Sequence, residues 1–290
     1  MPIRIDSIAE LRSHLAGHRL GGRRIAFVPT MGALHEGHLT LLDVARRHGD
    51  VVVMSVFVNP LQFGAGEDLD RYPRNIERDL ELAGSRGADV VFTPTVPEMY
   101  GKGDEVRVVA GDLASRWEGA ARPGHFDGVL TVVTKLFNIV QPDVACFGRK
   151  DLQQATLIAR MIEQLDFPIE LVVVPTVRDH DGLALSSRNA FLSDEERQVA
   201  LRIPSALAAA AQDWLDGERD AARLGQRVAA VLAAGEGLSP DYIAVIDPVR
   251  LEPVQTAPVG TVIAVAARVG STRLIDNIVL GEQDERCSAG

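Results

Sequence analysis

Arg24-Ile25-Ala26-Phe27-Val28 runs directly into Pro29-Thr30-Met31-Gly32-Ala33-Leu34-His35-Glu36-Gly37-His38. The first part is short and mostly apolar without alternation, as a strand reads when helices cover both of its faces. The second part carries two glycines, which let the backbone turn sharply and approach a ligand closely. A helical pattern then occupies 38–47. Strand, glycine turn and helix in that order predict one βα unit of an open parallel sheet, with its ligand crevice beyond the carboxyl ends of the strands.

The same signature recurs outward from this unit. Apolar runs at 51–58, 90–92, 144–147 and 169–174 read as further buried parallel strands, and 74–86, 129–139 and 152–165 as the helices between them. Pro73 suits the first turn of the helix at 74–86, where its missing N–H costs nothing. The character changes after Pro175. Ser193, followed by Asp194, Glu195 and Glu196, signals a helix start. An alanine-rich stretch continues that helix to Leu215, and 221–234 reads as another. Strand-like runs at 242–246, 262–266 and 274–279 follow. The expected fold class is α/β: a Rossmann-like doubly wound parallel sheet domain over 1–176, then a smaller α+β domain over 177–290.

Composition narrows the function classes. The chain has 290 residues, 46% hydrophobic and 24% charged, enough to bury a core without disulfides or a structural metal. Its net charge of −10 argues against a general nucleic-acid binder, which shows a basic field. Cys146 lies in an apolar run and Cys287 in a polar tail, with no CxxC spacing, so neither a disulfide framework nor a cysteine-based zinc site is expected. The N-terminal MPIRIDSIAELRSHL is interrupted by charges, unlike a signal peptide, and no run reaches the ~18 apolar residues of a membrane span. A cytoplasmic protein without membrane contact is expected.

Four stretches carry candidate chemistry. In 29–38 a helix begins after the glycine turn, so its first N–H groups and positive dipole end form a ready anion site. His35 and His38, three residues apart, can donate to phosphate oxygens; HxxH alone supplies only two metal ligands. In Phe147-Gly148-Arg149-Lys150-Asp151-Leu152-Gln153-Gln154, Gly148 permits a tight exit from a strand and Lys150 offers a mobile cation. Asp151 can accept from ribose hydroxyls, although it also fits a plain helix cap beside a solvated lysine. Gln154 shares the Asp151 face, whereas Gln153 turns about 100° away. In Asp181-Gly182-Leu183-Ala184-Leu185-Ser186-Ser187-Arg188-Asn189, two hydroxyls and a guanidinium suit triphosphate oxygens, and the same pattern fits a solvated linker. In Phe57-Val58-Asn59-Pro60-Leu61-Gln62-Phe63-Gly64, carboxamides among apolar residues suit a small hydroxylated acid. Asn59-Pro60 alone is a turn. Arg122 adds a carboxylate or phosphate partner or, equally, a surface charge.

In order and spacing, PTMGALHEGH, FVNPLQFG with DLDRYPR, RPGHFDGVLTVVTKLF, FGRKDLQQ and DGLALSSRN resemble the pantoate–β-alanine ligase (pantothenate synthetase) family, within the HxGH nucleotidyl-transferase-like group. The resemblance covers nearly all of the first domain and the junction; the last ~100 residues carry no usable motif. It implies ATP-dependent condensation of pantoate with β-alanine through a pantoyl adenylate, with Mg²⁺ accompanying ATP, and a homodimer. It implies that Met31, Gly32, Ala33, Leu34, His35, Glu36, Gly37 and His38 line the ATP site, with His38 as proton donor and transition-state stabiliser. Gly148, Arg149, Lys150, Asp151, Leu185, Ser186, Ser187 and Arg188 would complete it, with Val177 touching adenine through its backbone. The catalytic set would be His38, His35, Lys150 and Arg188. Gln62 and Gln154 would hold pantoate, with Asn59 and Arg122 as further substrate candidates. Arg149, Leu152 and Leu185 depart from the family pattern, where an acidic residue, an aromatic and a methionine are common. A simple nucleotidyl-transferase shares the turn and the Ser/Arg loop, but a phosphorylated acceptor calls for more cations than Gln62 and Gln154 supply.

Overall fold

The computed structural model describes residues 1–64, 66–101, 103 and 105–282; Cys287 lies outside them. The chain runs β1 (Ile3–Ile5), α1 (Ile8–Leu20), β2 (Ile25–Thr30), α2 (Glu36–His48), β3 (Val51–Val56), α3 (Ile76–Ser85) and β4 (Val90–Phe92). It continues through α4 (Val96–Tyr100), α5 (Trp117–Ala121), α6 (His125–Val140), β5 (Val144–Gly148), α7 (Leu152–Gln164) and β6 (Glu170–Val174). These strands form one sheet in the order β1-β4-β3-β2-β5-β6, parallel throughout. From β2 the chain steps outward through β3 and β4, then returns to the other side of β2 for β5 and β6. The switch point of this doubly wound sheet therefore lies between β2 and β5, where such folds bind ligands. Pairing between those two strands is confined to Ala26↔Val144 and Phe27↔Ala145. Beyond it β2 pairs with β3 alone, so Pro29, which has no N–H, sits past the end of the β5 ladder.

Strand periodicity divides the buried residues between two cores. Ile25, Phe27, Val51 and Val53 face one side, with Leu11 and Leu15 of α1, Phe126 and Phe137 of α6, and Ile158 of α7. Ala26, Val28, Val52 and Met54 face the other, with Leu39 and Leu42 of α2 and Ala83 of α3. Both faces are covered, which is why these strands read as continuous apolar runs.

The sequence reading needs correction at several places. It missed β1 and α1, because Ile3–Ile5 is short with a central arginine and α1 buries only Leu11 and Leu15. The Ser7 cap, whose side chain accepts from the Glu10 amide, was a readable start signal. Strand β3 ends at Val56 rather than 58, and α6 begins at His125 rather than 129. Helix α3 begins at Ile76 with Asn75 as its cap, so Pro73 lies outside its first turn.

By contact, the described chain forms two compact units: Met1–Arg149 with Gln153–Val177, and Lys150–Leu152 with the residues from Arg178 to Glu282. The second contains α8 (Asp194–Ala200), α9 (Arg202–Leu215), α10 (Ala221–Leu232), β7 (Leu238–Ile246), β8 (Val262–Val269) and β9 (Thr272–Val279). Ser193 and Glu196 make a reciprocal cap at the start of α8. The three strands form an antiparallel sheet in the order β7-β8-β9. Ile263, Val265 and Val269 pack with Leu207, Trp214, Leu224 and Val228 of α9 and α10.

Candidate active site

The turn after β2 is built by conformations that few residues tolerate. Gly32 has φ +86° and Ala33 has φ +52°, both left-handed. A Cβ on Gly32 would lie 2.9 Å from the Asp79 carboxylate and 2.9 Å from Val56, so only glycine fits. Asp79 of α3 holds the turn: Ala33 and Leu34 donate their amides to its two oxygens at 3.0 and 2.9 Å. Burial raises this carboxyl above its ordinary value, and the two amides oppose the shift. Sequence reasoning passed over Asp79, although an acidic residue beside Ala83 on the buried stripe of α3 was a signal.

His35 caps α2. Its Nδ1 accepts from the Gly37 amide at 3.2 Å, while Nδ1 of His38 faces the His35 amide at 3.4 Å. Both Nδ1 atoms therefore act as acceptors, which places the ring proton of each neutral imidazole on Nε2. Gly32 donates to Thr30 Oγ1 at 3.2 Å, and His38 donates its amide to the His35 carbonyl at 2.8 Å. Most of the backbone N–H donors expected to be free at this turn are therefore engaged. The amides of Gly32, Ala33, Leu34, His35, Gly37 and His38 all have acceptors within the turn or on Asp79. Imidazole Nε2–H groups become the donors this segment can present. Leu34 is a core residue, and the exposed Glu36 carboxylate pairs with Arg86 at 2.5 Å, so neither side chain is a natural nucleotide ligand.

Gln62 reaches the same turn, its Nε2 lying 3.3 Å from the Met31 sulfur. It ends a short 3₁₀ turn, Pro60–Gln62, capped by Asn59. The Asn59 carboxamide is fully used: it donates to Gln62 Oε1 and the Gly128 carbonyl, both at 3.1 Å, and accepts from the Leu61 amide and the Tyr100 hydroxyl. Four partners fill its hydrogen-bonding capacity, and one of them, Gln62, is oriented by it. Arg122 is likewise engaged within the protein. Its guanidinium grips the Glu67 carboxylate at 2.9 and 2.6 Å and lies 3.0 Å from His125 Nε2, leaving it committed inside the protein. His125 in turn meets the Gln62 carbonyl through Nδ1 at 2.8 Å. Burial, then the charge of Arg122, pulls this imidazole down to about 4, so it is neutral and donates from Nδ1.

After β5, Arg149–Asp151 make a 3₁₀ turn into α7. Gln153 is buried and spans the Glu118 amide and the Leu113 and Arg116 carbonyls, a purely internal role. Gln154 is partly buried and Asp151 exposed. The Lys150 carbonyl accepts from Asn277 of β9 at 3.0 Å. Farther along, Ser186 caps the turn Ser187–Phe191 by accepting from the Arg188 amide, and Asn189 donates to the Ala184 carbonyl at 3.0 Å. Arg197 fixes the preceding loop through Asp181 at 2.8 Å and Asp179 at 2.6 Å.

The family model described as pantoate-beta-alanine ligase matches residues 4–279. Pantothenate synthetase of Aquifex aeolicus is 50% identical over 96% of this chain and 98% of its own. The crystal structure of pantothenate synthetase from Thermus thermophilus is similar with a TM-score of 0.91 and 47% identity, over 96% of this chain and 99% of that one. The pantoate-beta-alanine ligase of Francisella tularensis, crystallised with an ATP ligand and β-alanine, has a TM-score of 0.80 and 32% identity, over 98% and 99% of the two chains.

Proposed function

The chain belongs to the pantoate–β-alanine ligase family, and from that premise we infer that it condenses pantoate with β-alanine using ATP, yielding pantothenate, AMP and pyrophosphate through pantoyl adenylate. The observation that carries the reading is the meeting of Gln62 with the Met31–His38 turn, a hydroxy-acid reader beside paired imidazole donors.

In the first step a pantoate carboxylate oxygen attacks the α-phosphorus in line. The new O–P bond forms as the bridging bond to the β-phosphate breaks, and pyrophosphate leaves. No side chain becomes covalently attached, so catalysis rests on positioning and charge stabilisation. His35 and His38 donate from Nε2 where negative charge grows, with Lys150 and Arg188 as cationic partners of the phosphates. Met31, Gly32, Gly37 and the backbone of the turn meet ATP; Gly148, Arg149, Asp151, Val177, Leu185, Ser186 and Ser187 serve the nucleotide as the motif implies. Gln62 and Gln154 hold pantoate. The neutral amine of β-alanine then attacks the acyl carbon, AMP leaves with the former carboxylate oxygen, and the amine loses its proton.

Mg²⁺ would neutralise the triphosphate. Among the described residues no group of three or more His, Cys, Asp or Glu side chains can hold a metal. That suits an ion held chiefly by phosphate oxygens and water. Among the described residues no helix is long and apolar enough to cross a membrane. Family resemblance supports a homodimer, and the change of sequence character after Pro175 supports a domain junction near Thr176.

The decisive experiment measures pyrophosphate release from ATP with pantoate, with and without β-alanine, and identifies the product. Amine-dependent AMP release with an amide product is expected; a stable nucleotidylated product would overturn the reading.

A further inference from the structure

Strand β9 places two polar residues side by side in the interior: Asp276 is 3% exposed and Asn277 4%. Successive strand residues normally face opposite ways, so one of the pair is usually solvated or apolar. Here both are held by one partner. Arg178 forks onto Asp276 at 2.6 and 3.0 Å and also reaches the Asn277 carbonyl at 3.3 Å, while Asp276 Oδ1 accepts the Asn277 amide at 2.8 Å. Burying an ion pair is a poor way to gain stability compared with apolar packing, which directs attention to what the cluster aims. It aims the Asn277 carboxamide: Nδ2 donates to the Lys150 carbonyl at 3.0 Å. The same Arg178 donates to the Gly182 carbonyl at 3.3 Å, at the base of the loop leading to Ser186, Ser187 and Arg188.

We propose that Asn277 is a positioning residue for adenylation, fixing the Lys150 backbone so that its ammonium is presented in one place, with the Asp276–Arg178 pair as the rigid mount. This rests on the assignment of Lys150 to the phosphates. Asp276 and Asn277 belong to the C-terminal hundred residues, where no motif pointed to function.

The test is the single-turnover rate of acyl-adenylate formation in Lys150→Ala, Asn277→Ala and the double variant, with KM for pantoate and thermal unfolding measured alongside. Asn277→Ala is expected to slow adenylation by roughly tenfold to a hundredfold, as small misplacements of catalytic groups do, with KM for pantoate unchanged. In the Lys150→Ala background it should add less than about twofold. Asn277→Asp keeps the shape, turns the donor into an acceptor and should show the same loss if the alanine variant does not fold. Full adenylation in both Asn277 variants, or equal slowing with and without Lys150, overturns the proposal. A normal rate in Lys150→Ala instead overturns the assignment of Lys150 itself.

Discussion

His35 and His38 cap one turn between them: the His35 amide faces Nδ1 of His38 at 3.4 Å, and the two rings lie 4.1 Å apart. The pair therefore does two things. Its Nδ1 atoms close the start of α2, and its Nε2–H groups add donors to a segment most of whose own amides are already engaged. A histidine is needed for this, because serine or aspartate would cap equally well but present no second donor on the far side of the ring.

Replacing His38 with alanine separates the two roles. Loss of the cap interaction should cost about 1 kcal/mol of stability. Loss of the donor should slow adenylation about a hundredfold, or ~3 kcal/mol in the transition state. Rapid-quench measurement of acyl adenylate, beside a thermal melt, resolves both. A near-normal rate would remove His38 from the catalytic set.

Gln62→Ala should raise KM for pantoate more than KM for ATP. Asn59→Ala should move the same constant in the same direction, because the Asn59 carboxamide holds Gln62 Oε1 at 3.1 Å. Steady-state titration of each substrate at saturating levels of the other decides this. Equal changes in both constants would place Gln62 elsewhere.

How far the sequence could be read depends on the distance over which each feature is determined. The sheet was legible because β2, β3 and β5 are buried on both faces and announce themselves in consecutive apolar residues. The turn after β2 was legible because Gly32 and the paired histidines are local in sequence. Partnerships across many residues were not. Asn59 read either as a substrate candidate or as part of a turn, and Arg122 either as a substrate partner or as a surface charge; the fold supplies Gly128, Tyr100 and Glu67 as their partners. Asp79 and His125 drew no separate reading from the sequence, and the fold places them against the His35 turn and the Gln62 carbonyl.

Gly128 illustrates such a long-range demand. It lies on α6, where glycine weakens a helix, yet a Cβ there would come within 2.3 Å of the Leu61 carbonyl oxygen and 2.6 Å of the Gln62 nitrogen. Both are backbone atoms, so no rotamer change relieves the clash. Gly128→Ala should push the Pro60–Gln62 turn off the helix, costing about 1–3 kcal/mol and raising KM for pantoate. Denaturant unfolding and substrate titration measure the two effects. A variant as stable and as tight for pantoate as the parent would mean that the turn does not rest on α6.

His125 makes an acid-side prediction whose sign is fixed. Its folded pKa is depressed from 6.5 to about 4, by burial first and then by the charge of Arg122. The native state therefore resists a proton that the unfolded chain takes up below its ordinary pKa. Above that value the group has no pH-dependent effect; as pH falls from 6.5 towards 4, stability should drop by roughly 3 kcal/mol in total. Protonation would also set a cation against Arg122, at 3.0 Å from Nε2, and so loosen the Gln62 carbonyl from its mount. His125→Asn removes the titrating group. It should be less stable than the parent near neutrality, through the lost hydrogen bond, and should lose less of its remaining stability on acidification. Urea unfolding of both proteins at about pH 7 and about pH 4.5 compares the slopes. Parallel losses in the two proteins would show that His125 is not held neutral against Arg122.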